Sequence, residues 1–240
     1  MEKIKKFRTS ILKERKEFYD NEFLLTNVKK WFEKNCLPFP QLCAVDAGSD
    51  TGIIINKKLK NKMLYFPFGK LLIKIKKYYP EDIYYDRNTY KNPQKSFNSL
   101  NFKNYLSQEL VFDVDSSNIK CNHRKNEIVC SKCISKAYIY SIKMKKELEK
   151  KFSKVKIVYS GRGFHIHILD KEAFFLSKKT RLAMSKKFAV KFPIDEWVSS
   201  GNISLIRIPY SLNSLVSRIV IPLEKEKFNE RKTIPMFLRS

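Results

Sequence analysis

The chain has 240 residues, of which 49 are Lys or Arg and 24 Asp or Glu, giving a net charge of +25. Hydrophobic residues make up 43% and aromatics 13%, which supports a packed core and excludes global disorder. A charge of that sign favours a polyanionic partner, nucleic acid first, although a genome biased toward Lys, Ile and Asn produces a similar composition. No run approaches the ~20 apolar residues of a spanning helix. The basic start lacks the apolar stretch of a secretory signal, so an intracellular protein is expected.

In chain order, residues 1–18 read as a basic amphipathic helix with Ile4, Phe7, Ile11 and Leu12 on one side. Glu22 to Cys36 has helical spacing through Phe23, Leu24, Val28, Trp31 and Phe32, and Pro38 and Pro40 stop it. Residues 42–57 and 62–76 read as strands or mixed apolar segments, the second interrupted by Pro67 and Gly69. Tyr78 to Asn101 is polar, aromatic and irregular. Residues 109–115 make a short strand, 134–152 a helix with Ile134, Tyr138, Ile142, Leu148 and Phe152 inward, and 155–169 a strand–turn–strand. A helix near 178–190 precedes a last sheet region over 203–222. Helices and strands mix without a regular βαβ beat, so the expected class is α+β.

Three constellations carry chemistry. Asp113 and Asp115 stand two apart at the end of an apolar strand, so both carboxylates share a face while Phe112 and Val114 point into the core. Paired carboxylates favour hard divalent cations and suit two-metal chemistry, although a lone Asp-x-Asp at a strand end is also a common turn. Cys121, His123, Cys130 and Cys133 offer thiolate and imidazole ligands in the number of a closed, structural zinc site, free thiols in a loop being the alternative. Cys36 and Cys43 lie apart and read as ordinary buried or half-buried residues. Ser160-Gly161-Arg162-Gly163 separates two strand-like stretches and offers phosphate-directed donors; His165 and His167 follow on one strand face. For His167 a core role is the better reading, for His165 the poorer one.

Taken in order, these segments resemble the archaeo-eukaryotic primase family, most closely the archaeal small, catalytic subunit. PEDIYYDRNTYKNP (80–93) is similar to the lead-in to the first catalytic motif and ELVFDVDSSN to the motif itself. CNHRKNEIVCSKC resembles the zinc knuckle, IVYSGRGFHIHILD the Ser-x-His nucleotide motif, and IDEWV followed by LIRIPYSL the third motif. The resemblance covers residues 80 to 222. It implies one catalytic domain over 1–240 with two packed lobes, a modified RRM-like mixed sheet and a zinc-knuckle insertion at 121–133.

The resemblance further implies a DNA primase, making primers from NTPs or dNTPs on single-stranded DNA, with a large subunit as partner. By the same resemblance Asp113, Asp115 and Asp195 hold Mg²⁺ or Mn²⁺, with Glu196 the fallback for Asp195. Ser160, Arg162, His165, Arg207 and Asn213 bind the nucleotide, and a cytoplasmic, nucleoid-associated archaeal protein follows. Where the family pattern reads Ser-Leu-His-Gly, often followed by Lys, this chain has Ser211-Leu212-Asn213-Ser214-Leu215. Asn213 still donates a hydrogen bond but carries no charge, and Arg218 is the candidate to compensate. Two other functions compete: a self-sufficient primase-polymerase of a mobile element or repair pathway, and a non-catalytic zinc-stabilised nucleic-acid-binding protein.

Overall fold

A computed structural model describes residues 7–48, 63–99, 101–121 and 128–239. Two helices, α1 (Leu12–Asn21) and α2 (Leu25–Lys34), lead into β1 (Leu42–Asp46) and β2 (Met63–Pro67). Helix α3 (Leu71–Tyr78), β3 (Asp82–Asp86), β4 (Asn88–Thr89), α4 (Pro93–Ser99) and β5 (Ser107–Gln108) follow. Then come β6 (Leu110–Asp115), the long α5 (Ser131–Leu148), β7 (Val155–Tyr159) and β8 (Gly163–Ile168). Short helices α6 (Lys171–Phe174), α7 (Lys178–Ala189) and α8 (Glu196–Ser199) precede β9 (Leu205–Arg207), β10 (Leu212–Asn213), β11 (Arg218–Ile219) and β12 (Ile221–Pro222).

The class is α+β. Two four-stranded sheets, ordered β2-β1-β3-β9 and β12-β7-β8-β6, carry the architecture. Every strand pairing among the described residues is antiparallel, where a mixed sheet is expected from sequence. The parallel relationship survives at one remove. Strands β6 and β7, joined through α5, run the same way but are separated by β8, which pairs antiparallel with both. Residue Ile194, just after α7, adds an antiparallel bridge to Val114 on the free side of β6.

Strand alternation divides the β12-β7-β8-β6 sheet into two faces. Leu110, Phe112, Val114, Ile157, Phe164, Ile166 and Ile168 join Ile134, Ala137, Met144 and Leu148 of α5 in one hydrophobic cluster. Val111 and Val158, from the opposite face, belong to a second cluster with Phe18, Val28, Trp31, Phe32, Val45, Ile83 and Tyr85 from α1, α2, β1 and β3. Asp113, Asp115, His165 and His167 are on this second face, between the two cores.

Several local expectations change. Residues 7–11 are not helical, and α1 begins only at Leu12. Ile11 and Leu12 are exposed, whereas Arg15, Phe18 and Tyr19 are buried; the expected contribution of Ile4 lies outside the described residues. The segment Leu71–Tyr78 is helical because Leu71 and Ile75, one turn apart, bury together while Leu72, Ile73, Lys76 and Lys77 face out. Strand β3 runs through the stretch read as irregular: its flanking aspartates look loop-like, yet Ile83 and Tyr85 alternate into the core. Cys36 is exposed at a positive φ of 53°, not buried, while Cys43 is buried in β1. No helix among the described residues is long and apolar enough to cross a membrane.

Candidate active site

Pairing between β6 and β8 sets the centre of the site. Asp113 lies opposite His165 and Asp115 opposite Gly163, so both carboxylates sit on the face turned to the other core. The Val114–Ile194 bridge then delivers Asp195, whose backbone N–H donates to the Asp113 carbonyl at 2.7 Å. Asp195 caps α8, its Oδ1 accepting from the N–H groups of Trp197 (2.8 Å) and Val198 (3.3 Å). The fallback Glu196 is exposed on the first turn of that helix.

The electrostatics at Asp113 are those of a crowded anionic site. Burial, then the neighbouring Asp115 and Asp195 carboxylates, push its pKa up to about 8 against the pull of Arg207 and Arg162. Its Oδ1 is buried without a hydrogen-bond partner, 3.9 Å from His165 Nε2. His165 offers no charge in return: burial, with His167, Arg207 and Arg87 nearby, drives its pKa well below the ordinary value. Asp115 is better provided, its Oδ1 accepting from Ser117 N at 2.8 Å and its Oδ2 from Arg162 Nη2 at 2.6 Å. An orphaned buried carboxylate oxygen beside two further carboxylates is the donor set a hard divalent cation fits. Among the described residues these three carboxylates are not drawn within 4.8 Å of one another, since Arg162 and the α8 N-terminus each hold one.

The Ser160–Gly163 turn joins β7 to β8, and two of its glycines are required by geometry. Gly161 has φ +101°, and a Cβ there would meet the Asn213 side chain at 2.6 Å. At Gly163 a Cβ would come within 2.2 Å of the Val114 carbonyl oxygen, in the strand that bears the aspartates. Gly163→Ala is therefore expected to cost about 1–3 kcal/mol or more in urea unfolding, whereas Gly69→Ala, where a Cβ meets nothing within 4 Å, serves as the near-neutral control. Asn213 is fully buried and donates from Nδ2 to the Ser160 carbonyl at 2.8 Å, so its amide is tied to the backbone of the turn. Arg218 is also fully buried, stacked 4.1 Å from the Phe7 ring centre and donating to the carbonyls of Val216 and Ser217. That guanidinium is held within the packed interior beside β10 and β11.

Arg207 makes a two-pronged ion pair with Asp82, Nε to Oδ1 at 2.9 Å and Nη2 to Oδ2 at 2.8 Å, and lies over the Tyr84 ring. Although burial lowers its pKa, the Asp82 carboxylate first and Asp113 more weakly hold it above the ordinary value. Asp82 is the site-adjacent residue that sequence reasoning passes over; its only signal is its place in the segment leading to the first motif. His167 takes the core role: buried, with Nδ1 2.8 Å from Glu109 Oε1 and its ring edge-on to Trp31. The same Glu109 accepts from the Tyr85 hydroxyl at 2.7 Å.

Behind the sheet, Cys121, Cys130 and Cys133 bring their sulfurs within 4.8 Å of one another. Cys130 Sγ lies 3.7 Å from that of Cys121 and 3.5 Å from that of Cys133. Four ligands at about 2.3 Å in a tetrahedron stand about 3.8 Å apart, so the three thiols fit one metal ion. The expected fourth ligand, His123, lies outside the described residues.

Comparison with known proteins places the chain in a family. A protein of Archaeoglobus fulgidus described as an uncharacterized DNA primase small subunit-like protein is 34% identical over an alignment of length 262, gaps included, which covers 98% of this chain and 93% of the relative. The chain belongs to the DNA primase small subunit family. Within that family the DNA primase small subunit PriS of Pyrococcus abyssi is 32% identical across 70% of this chain, and that of Pyrococcus horikoshii 30% across 70%. The match spans 46% of each of these two subunits, about half their length. No family model matches the chain. Among solved structures, the polymerase domain of Mycobacterium tuberculosis ligase D in complex with DNA has a TM-score of 0.50 at 10% identity, covering 89% of this chain and 80% of its own. At that identity the likeness is one of fold.

Proposed function

We propose that this family member is a DNA primase catalytic subunit, a nucleotidyltransferase that joins NTPs or dNTPs on a single-stranded DNA template. The observation that carries the reading is the convergence of Asp113, Asp115 and Asp195, with one Asp113 oxygen buried and unpartnered. These three carboxylates would hold Mg²⁺ or Mn²⁺. Such ions, when bound, offset the charge that develops on the transferred phosphoryl group and its leaving pyrophosphate. The two cores are taken as the lobes of a single catalytic domain over residues 1–240. The succession β6-α5-β7-β8-α7-Ile194, with β8 between β6 and β7, supports the RRM-like description of the lobe that bears the aspartates.

The chain's own residues bind and orient the triphosphate. Ser160 and Arg162 lie on the turn beside the carboxylates, and Arg162 moves from Asp115 to phosphate as the nucleotide enters. His165, neutral by burial, donates a hydrogen bond rather than a charge. Arg207 supplies the half-buried positive charge, held in place by Asp82. Asn213 contributes through the turn whose carbonyl it holds. Positioning the primer 3′-hydroxyl against the α-phosphate then accounts for most of the rate. Asp82→Asn should raise the KM for nucleotide about tenfold with a smaller fall in kcat, because a charge-assisted bidentate contact is worth about 1.5–3 kcal/mol; an unchanged KM would remove Arg207 from the nucleotide site.

We propose structural zinc at Cys121, Cys130 and Cys133, completed by His123, and a primase large subunit as partner. A cytoplasmic, nucleoid-associated place in an archaeal cell goes with the reading. The deciding experiment incubates purified protein with single-stranded template and NTPs or dNTPs, with and without Mn²⁺. New strands made without a primer establish primase activity, and extension of supplied primers alone assigns a polymerase. Template binding without synthesis would overturn the catalytic reading.

A further inference from the structure

A cleft of about 710 Å³ opens between α2, the start of β7 and the segment after β12, away from the carboxylates. Lys30 and Lys34 line it from α2, Lys154 and Lys156 from β7 and its approach, and Lys225 from the opposite lip. All five are exposed, and among the described residues none of their ammonium groups is in an ion pair; Glu224 is the single acid on the wall. Between the lysines the wall is apolar and aromatic, with Trp31, Tyr210 and Pro222. Unpaired cations over an apolar floor are what a single nucleic-acid strand needs: phosphates meet the lysines, and bases meet the apolar wall, where Tyr210 is half-buried and Trp31 is backed into the core.

Register ties the cleft to the active face. Lys156 pairs with His167, which follows His165 by two residues on β8, and His165 pairs with Asp113. Lys156 thus shares a sheet face with Asp113, two strands across and two residues along, about 12 Å away by strand spacing. Trp31, packed edge-on against His167, also lines the cleft, so the cleft shares the sheet face of the carboxylates but not their site. We infer that this lysine-lined cleft binds the phosphate backbone of a single DNA strand outside the catalytic centre. The choice of partner rests on the nucleotidyl-transfer reading; the cleft itself stands on its own charge and shape.

The test is fluorescence anisotropy of a labelled oligo(dT) without nucleotide or metal, so an inactive wild-type protein leaves it valid. Lys30→Glu/Lys34→Glu/Lys156→Glu is compared with Lys143→Glu/Lys146→Glu/Lys186→Glu, which removes equal charge from exposed positions on α5 and α7. The cleft variant should bind at least tenfold more weakly, and its log K against log salt slope should fall by about two, since single strands lose about 0.7 per phosphate contact. A Lys→Gln version of the cleft triple with an unchanged thermal midpoint should show the same direction of loss, which separates charge from folding. Equal weakening in both triples would assign binding to the overall field and overturn the inference. Displacement of oligo(dT) by poly-glutamate at equal charge concentration would overturn it as well, in favour of an acidic polypeptide.

Discussion

Asp113→Asn and Asp115→Asn are each expected to lower metal-dependent strand synthesis by about a thousandfold or more, with the protein still folded. An amide of the same shape keeps the packing but no longer balances a divalent cation or the charge of a reacting phosphate, and losses of that order follow when such stabilisation goes. Folding is preserved because the sheet does not depend on these carboxylates: Val111, Phe112 and Val114 of the same strand supply its core contacts. Retained synthesis in either variant would sink the assignment of the centre.

The same substitution has a second readout that does not need catalysis. Asp113 titrates near 8 in the folded chain, mainly through burial and then Asp115 and Asp195, against about 3.9 when unfolded. Between those values the native state binds the extra proton, so its contribution to stability is full below about pH 4 and is lost as pH rises to about 8. Urea unfolding in EDTA should therefore show the wild type losing stability relative to Asp113→Asn across that window. Mn²⁺ should restore the wild type near pH 8 and leave Asp113→Asn unmoved. Parallel pH profiles for the two proteins would contradict a crowded anionic centre.

How far the sequence reveals this site depends on whether a relationship is local. Asp113 and Asp115 share a face by strand alternation, and the Gly-rich turn with His165 and His167 is one contiguous motif, so both are legible from pattern alone. Bringing Asp195 to Asp113 requires the Val114–Ile194 bridge, which periodicity does not encode; only the family resemblance points there. The Arg207–Asp82 pair joins residues 125 apart, and β3, which holds Asp82, reads as irregular because of its flanking acids. Composition misleads in a more instructive way. The excess of positive charge suggests a solvent-facing field, yet Arg15, Arg181 and Arg218 are wholly buried and Arg87 nearly so. Arg87 donates to carbonyls of Ser204, Glu109, Val198 and Ile203, and Arg181 to those of Leu176, Ala173 and Phe174, with a shorter contact to Gln108. These guanidiniums satisfy chain ends around β5, β6 and α6–α8 that secondary structure leaves unpaired. The lysines, by contrast, line the surface clefts, so the field presented to a strand is mostly theirs.

Removing the metal proposed at the cysteine cluster should destabilise one side of the molecule without touching the chemistry on the other. Cys130 stands at the N-terminal boundary of α5 and Cys133 lies in its first turn, buried in the core that backs β6 and β8. Burial and neighbouring thiols push Cys133 up to about 12, so a bound metal must displace protons, and its hold weakens as pH falls. Protein as purified should carry one zinc per chain by elemental analysis. Cys130→Ser, or prolonged chelation, should remove it at a cost of about 3 kcal/mol, which for a chain of this size lowers the thermal midpoint by roughly 6–12 °C. Cys36→Ser, at an exposed position apart from the cluster, should change neither quantity. Synthesis measured well below the lowered midpoint should persist, because α5 packs on the Phe112 and Val114 face while Asp113 and Asp115 project from the other. If the serine variant kept its midpoint and the purified chain carried no metal, the three sulfurs would be free thiols and the stability of α5 would rest on packing alone.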